Sequence, residues 1–154
     1  MGKIIVFINL SLDGVMQSPA KPEEDVRDGF THGGWAAPYD AMPSAGVAMA
    51  NCGGLLLGRW TFEDFYRAWH VQEGEFSSFM DNIPKYVVPR TLEEPLSRKN
   101  STLISGDITA TISRLKKERK RDLVIMGSGE LVRSLMHSNL IDEYVLLIHR
   151  IVLR

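Results

Sequence analysis

Short aliphatic runs separated by stretches of helical periodicity constrain this chain more than any other feature. They are "IIVFI" (4–8), "GLLLG" (54–58), "KYVV" (85–88), "STLIS" (101–105), "DLVIM" (122–126) and "EYVLLIHRIVL" (143–153). A strand with one wet face alternates apolar and polar residues, whereas a continuous run suits a strand covered on both faces, as in parallel sheets. Between the runs, Ile108, Ile112 and Leu115 recur at i, i+4, i+7 after Asp107, a suitable N-cap, and Leu131, Val132, Leu135 and Met136 form one apolar face after Ser128. Thr61, with Asp64 three residues on, marks the cap of a further helix reaching Trp69. Strands and helices alternating in single file predict one α/β domain, a mostly parallel sheet with helices on both sides.

Composition narrows the function classes. With 154 residues, 44% of them hydrophobic and a formal net charge of −1, the chain reads as one globular domain without a polyanionic partner. Cys52 is the single cysteine and the four histidines are scattered, so no zinc-like spacing exists and a reducing cytoplasm is expected. The first apolar run spans five residues, too short for a signal-peptide core or a membrane span. Residues 17–46 hold four of the seven prolines and predict a long loop before a short helix around 44–52. The basic run "RLKKERKRD" (114–122) reads as a solvated helix end, where cations favour the helix dipole, and no nucleic-acid partner is expected.

In open parallel sheets ligands bind outside the carboxyl ends of the strands, so the residues after each run carry the functional reading. Gly127, Ser128, Gly129 and Glu130 open the helix after "DLVIM"; two glycines permit close approach of a phosphate to free N–H groups, although such turns also arise for steric reasons alone. The third glycine of the dinucleotide fingerprint is missing, and Asp142 and Glu143 lie nearer than its acidic residue should. Gly58, Arg59 and Thr61 repeat the same logic after the second run: a glycine, a planar guanidinium and a hydroxyl at a helix start, or simply a cap beside a surface arginine. Arg90 and Thr91 offer a second cation and hydroxyl of the kind that meets the 2′-phosphate distinguishing NADP from NAD, or an ordinary surface pair. Asp13, beside Gly14 at the end of the first strand, is either a catalytic carboxylate or an acceptor for turn N–H groups. Trp35, in "GGW", either walls a planar heterocycle or packs the loop down.

Taken in order, "SLDG", "LLLGRWTFEDF", "NIPKYVVPRTL", "LVIMGSGELVRSLM" and "LIDEYVLLIHRIVL" resemble the dihydrofolate-reductase-like family that includes the C-terminal reductase domain of the riboflavin biosynthesis protein RibD, and "GGWAAPY" resembles its stand-alone bacterial members. The resemblance implies a three-layer α/β/α fold with a mainly parallel, mixed sheet and NADPH laid across the strand ends. It implies cofactor contacts from Gly58, Arg59, Thr61, Arg90, Thr91, Gly127, Ser128, Gly129 and Glu130 and a substrate end formed by Ser11, Asp13 and Gly14; the reading of Trp35 as a ring wall adds a further substrate-binding residue, and the single cysteine and scattered histidines lead to no expected metal. The implied reaction is hydride transfer to a pyrimidine or pterin-like ring; a catalytically idle nucleotide-binding or ligand-sensing protein with the same fold is the alternative. Family members continue after the "DEY" strand with a Gly-rich turn and an antiparallel hairpin, which are expected to be lacking here. An apolar strand left at the edge invites pairing, so a homodimer is expected.

Overall fold

The computed structural model describes residues 1–39, 42–69, 73–89 and 100–154, with the backbone alone at 42, 68, 69 and 76. In chain order they form β1 (Ile4–Leu10), α1 (Met42–Met49), β2 (Cys52–Gly58), α2 (Arg59–Trp69), α3 (Glu75–Asn82), β3 (Lys85–Val88), β4 (Ser101–Leu103), α4 (Ile108–Glu118), β5 (Asp122–Met126), α5 (Gly129–His137) and β6 (Glu143–Ile148). A single 3₁₀ turn, Arg27–Gly29, interrupts the long loop that follows β1.

The six strands order as β4-β3-β2-β5-β1-β6, and every described pairing is parallel. The mainly parallel sheet expected from the single-file alternation is therefore parallel throughout the described residues. Ile5, Phe7, Leu55, Leu57 and Val124 pack with Ala48, Phe62 and Met80 of α1, α2 and α3, while Ile4, Val6, Leu56, Leu123 and Ile125 pack with Ile112, Leu131, Val132 and Leu135 of α4 and α5. Period-two alternation thus feeds two cores, which is why the runs are continuously apolar. The chain moves outward to β2 and β3 with α1, α2 and α3 on one face, and returns from β4 to β5 and on to β6 with α4 and α5 on the other, as right-handed crossovers require.

The amino edge of the sheet is held by acids. Asp122 accepts from the Lys3 N–H and Asp142 from the Ile4 N–H, and Lys116 pairs with Asp142. Asp142 consequently lies at the far edge from the Gly127 turn and does not serve it. In the basic run, Arg119 sits 4.8 Å from the Tyr86 ring centroid and donates to the Gly53 carbonyl, so this cation is an internal fastening.

Several boundaries differ from expectation. β6 stops at Ile148 rather than running to residue 153, although the chain beyond it stays alongside β1, with the His149 N–H on the Leu10 carbonyl and the Leu12 N–H on the Ile151 carbonyl. Helix α2 begins at Arg59, so Thr61 sits inside its first turn instead of capping it. Helix α3 has no strong signal in the sequence; it ends on buried Lys85, whose ammonium donates to the carbonyls of Met80 and Ile83. Leu135 is fully buried in the α5 core, and Leu135→Ala is expected to lower unfolding free energy by about 2–5 kcal/mol in denaturant titration.

Candidate functional site

The all-parallel sheet brings the carboxyl ends of β1, β2 and β5 to one edge, with β5 between the other two. At that edge the two glycine-containing turns touch. The Gly58 N–H donates to Ser128 Oγ at 2.9 Å, and that hydroxyl donates to Thr61 Oγ1 at 2.8 Å. A Cβ on Gly58 would lie 3.1 Å from Ser128 Oγ, tight enough that a side chain there would push the junction apart. Gly127 has φ +74° and Ser128 itself is left-handed at φ 57°, so the backbone reverses sharply between β5 and α5. Ser128 does not cap α5 with its side chain; its hydroxyl is spent on the neighbouring turn.

The consequence is that α2 and α5 start side by side. First-turn N–H groups of a helix have no intrahelical acceptor and carry the positive end of its dipole, so two such starts make a surface suited to an anion. Arg59, with a side chain 16% exposed, is held by Glu63 one turn along at 2.8 Å. Glu130 is exposed in the first turn of α5. It lies within electrostatic reach of Arg27, whose guanidinium is raised in pKa chiefly by Asp25. Arg27 also sits 5.8 Å from the Trp60 ring centroid, so the loop after β1 brings a cation to these turns that the sequence reading did not single out. Met16 Sδ closes on Gly129, lying 3.0 Å from where a Cβ would stand. Arg90 and Thr91 lie outside the described residues.

At the end of β1, Ser11, Asp13 and Gly14 form one tight turn. Ser11 Oγ donates to Asp13 at 2.7 Å and accepts from the Val15 N–H, while Gly14 supplies φ +80°. The Asp13 carboxylate also accepts from the Leu153 and Arg154 N–H groups. These donors, the Ser11 hydroxyl foremost, hold its carboxyl below the usual range, so Asp13 is an ionised acceptor rather than a stored proton. Trp35 is buried, and its indole N–H donates to the Gln17 carbonyl, fastening the loop. Cys52 is a free, buried thiol whose pKa burial pushes up.

The sequence reading missed a polar pair beside this turn. His149, buried, meets Asn9 Oδ1 through Nε2 at 2.9 Å, and the rings of Trp35 and Tyr39 pack against it with centroids at 5.4 and 5.0 Å. The available signal was an asparagine where the alternation of β1 calls for a third apolar residue after Ile5 and Phe7. An open hollow of about 400 Å³, lined in part by Tyr39, Leu147 and His149, borders the pair on the β6 side, across β1 from the phosphate-suited turns. A larger one, about 620 Å³, lies by Gly53, Pro84 and Arg121 at the amino edge. Neither holds the junction of glycines; the convergence of donors, rather than depth, marks the cofactor end, since a ligand laid across strand ends rests on open surface. Among the described residues no group of three His, Cys, Asp or Glu could hold a metal ion, and no helix is long and apolar enough to cross a membrane.

Comparison with known proteins follows the same lines. The sequence profile of the RibD C-terminal domain matches residues 2–153. This chain belongs to the RibD C-terminal domain family. Its fold is similar to that of a protein from Shewanella sp. PV-4 assigned to riboflavin biosynthesis, at TM-score 0.63 and 22% identity over 98% of this chain and 78% of that one. It is also similar to dihydrofolate reductase from Enterococcus faecalis, solved with NADP(H) and RAB-propyl, at TM-score 0.51 and 14% identity over 89% of this chain and 66% of that one. No curated protein sequence matches. The dihydrofolate-reductase-like α/β fold is thus shown, and membership of the RibD C-terminal domain family supports a reductase-type function.

Burial lowers the His149 pKa from its ordinary value near 6.5. The unfolded chain therefore takes up this proton first, so the contribution to stability is complete above about pH 6.5 and is lost as pH falls below it. Melting temperature should drop between pH 7 and pH 5, and His149→Gln should flatten that drop in a thermal scan series.

Proposed function

We propose that this protein is an NADPH-dependent reductase whose substrate is a pyrimidine of the 5-amino-6-ribosylaminouracil type or a pterin-like ring. One observation carries the reading: the Ser128 hydroxyl joins the Gly58 and Gly127 turns into a single surface of helix starts at the carboxyl edge of the sheet. Gly127, Ser128, Gly129 and Glu130 at the start of α5 face the pyrophosphate; Gly58 and Thr61 at the start of α2 complete its seat, and Arg59 between them reaches the adenosine 2′-phosphate as a planar fork once it leaves Glu63. Arg90 and Thr91 are assigned to the adenosine 2′-phosphate by the family resemblance. The bound nicotinamide supplies the hydride, and the chain supplies position and electrostatics.

The substrate end is the turn of Ser11, Asp13 and Gly14, backed by Trp35. Asp13 is ionised and engaged by hydrogen bonds, so it orders the end of β1 and sets a negative field beside the ring, while the proton that follows the hydride arrives from water. A cytoplasmic home fits the free thiol of Cys52.

The reading is tested by titrating NADPH and NADH through quenching of the three tryptophans. Arg59→Ala is expected to weaken NADPH about tenfold or more and NADH much less; equal losses would remove Arg59 from the 2′-phosphate role. NADPH oxidation should follow on adding a pyrimidine or pterin substrate. Cofactor binding without oxidation would favour the idle, ligand-sensing alternative.

We also propose a homodimer. Among the described residues β6 pairs with β1 on one side only, and Tyr144, Leu146 and Ile148 stand 46%, 46% and 58% exposed on one of its faces. Apolar area of this kind on an edge strand is stabilised by a partner. Sedimentation at micromolar concentration should show a dimer, and Leu146→Lys should give a monomer.

A further inference from the structure

Asn9 is the polar residue that neither the fold nor the cofactor seat explains. Ile5 and Phe7 precede it on the same side of β1 and are buried against the α1–α3 face. A third apolar side chain would extend that core; a carboxamide there needs hydrogen-bond partners. One is present, the His149 imidazole at 2.9 Å from Asn9 Oδ1. An amide oxygen only accepts, so Nε2 carries the imidazole proton and the carboxamide is fixed with its NH₂ turned the other way. That NH₂ has no hydrogen-bond acceptor among the described residues.

The strand register shows the space around it. β1 and β5 pair as far as Phe7 and Met126, whereas β1 and β6 continue to Leu10 and Ile148. Residues 8–10 of β1 therefore have a strand neighbour on the β6 side alone. On the other side the Gly127 turn begins, its N–H directed at the Phe7 carbonyl. Asn9 stands about 7 Å beyond Phe7 along the strand, at a rise of about 3.3 Å per residue, next to the turn that starts the cofactor seat. Trp35 and Tyr39 press on His149 from the loop, which holds the imidazole in place.

We infer that Asn9 is a substrate-binding residue, whose amide NH₂, oriented by His149, donates a hydrogen bond to a ring carbonyl of the heterocycle. His149 is a positioning residue in this scheme: it touches Asn9 and never the ring. The inference rests on the reductase reading for the class of ring, and on the local geometry alone for where that ring binds. A uracil-type ring, with carbonyl oxygens on its edge, satisfies the donor; a ring bearing amino groups at those positions presents donor against donor and leaves both unpaired.

The probes are 5,6-diaminouracil and 2,4,5,6-tetraaminopyrimidine, which carries amino groups in place of the ring carbonyls, each titrated by tryptophan quenching with and without NADPH. The wild type should bind diaminouracil about tenfold more tightly. Asn9→Asp, which offers only acceptors, should lose that preference or reverse it. His149→Gln, able to donate to Asn9 Oδ1, should keep most of it, and His149→Leu should lose it while remaining folded by circular dichroism. Wild-type indifference to the two rings, failure to bind either at millimolar concentration, or an unchanged preference in Asn9→Asp would each overturn the assignment. NADPH binding is read in the same titrations: its absence with the ring preference intact would sink the cofactor reading and leave Asn9 in its role.

Discussion

One hydroxyl holds the functional edge of this molecule together. Ser128 Oγ accepts from a backbone N–H at the end of β2 and donates to a side chain in the first turn of α2, across 70 and 67 residues of chain. Neither contact is strong by itself, each of a kind contributing about 0.5–1.5 kcal/mol. Their value is geometric. They fix the starts of two helices against one another, and the surface that results follows from the parallel register of β2 with β5 beneath it.

The two edges of the sheet are put to opposite uses. At the amino edge, Asp122 and Asp142 are engaged by the N–H groups of Lys3 and Ile4 and by Lys116. At the carboxyl edge the backbone is turned away from itself by left-handed residues, and the polar groups there are joined in short local networks: Ser128 with Thr61, Ser11 with Asp13, Asn9 with His149. The loop over this edge is ordered by its own bonds. Gln17, Ser18 and Glu24 side chains satisfy backbone groups between residues 20 and 27, and Trp35 ties the whole to Gln17.

What the sequence made legible was whatever local pattern determines. The six strands, α4 with its Asp107 cap and α5 all appear near where periodicity puts them, because each apolar run has at least one face to bury whatever its neighbours are. The glycine turns were legible as turns; that they meet was a property of strand order, which periodicity does not encode. Thr61 looked like a cap because a hydroxyl at a helix start commonly is one, and its actual partner lies far along the chain. Helix α3 is short and held by Lys85 a few residues beyond it, a side-chain contact that periodicity does not mark. Asn9 and His149 are separated by 140 residues, and neither stands out alone.

The position of β1 also bears on how the chain is made. Its two flanking strands, β5 and β6, come last in sequence, with the Lys3 N–H bonded to an acid 119 residues away. During synthesis β1 emerges apolar on both sides and stays unmatched until β5 and β6 have been translated. Loop closure over such a span is slow, and an unpaired aliphatic strand is what holding chaperones bind. A strand interior to the finished sheet is thus the longest-waiting segment of the nascent chain.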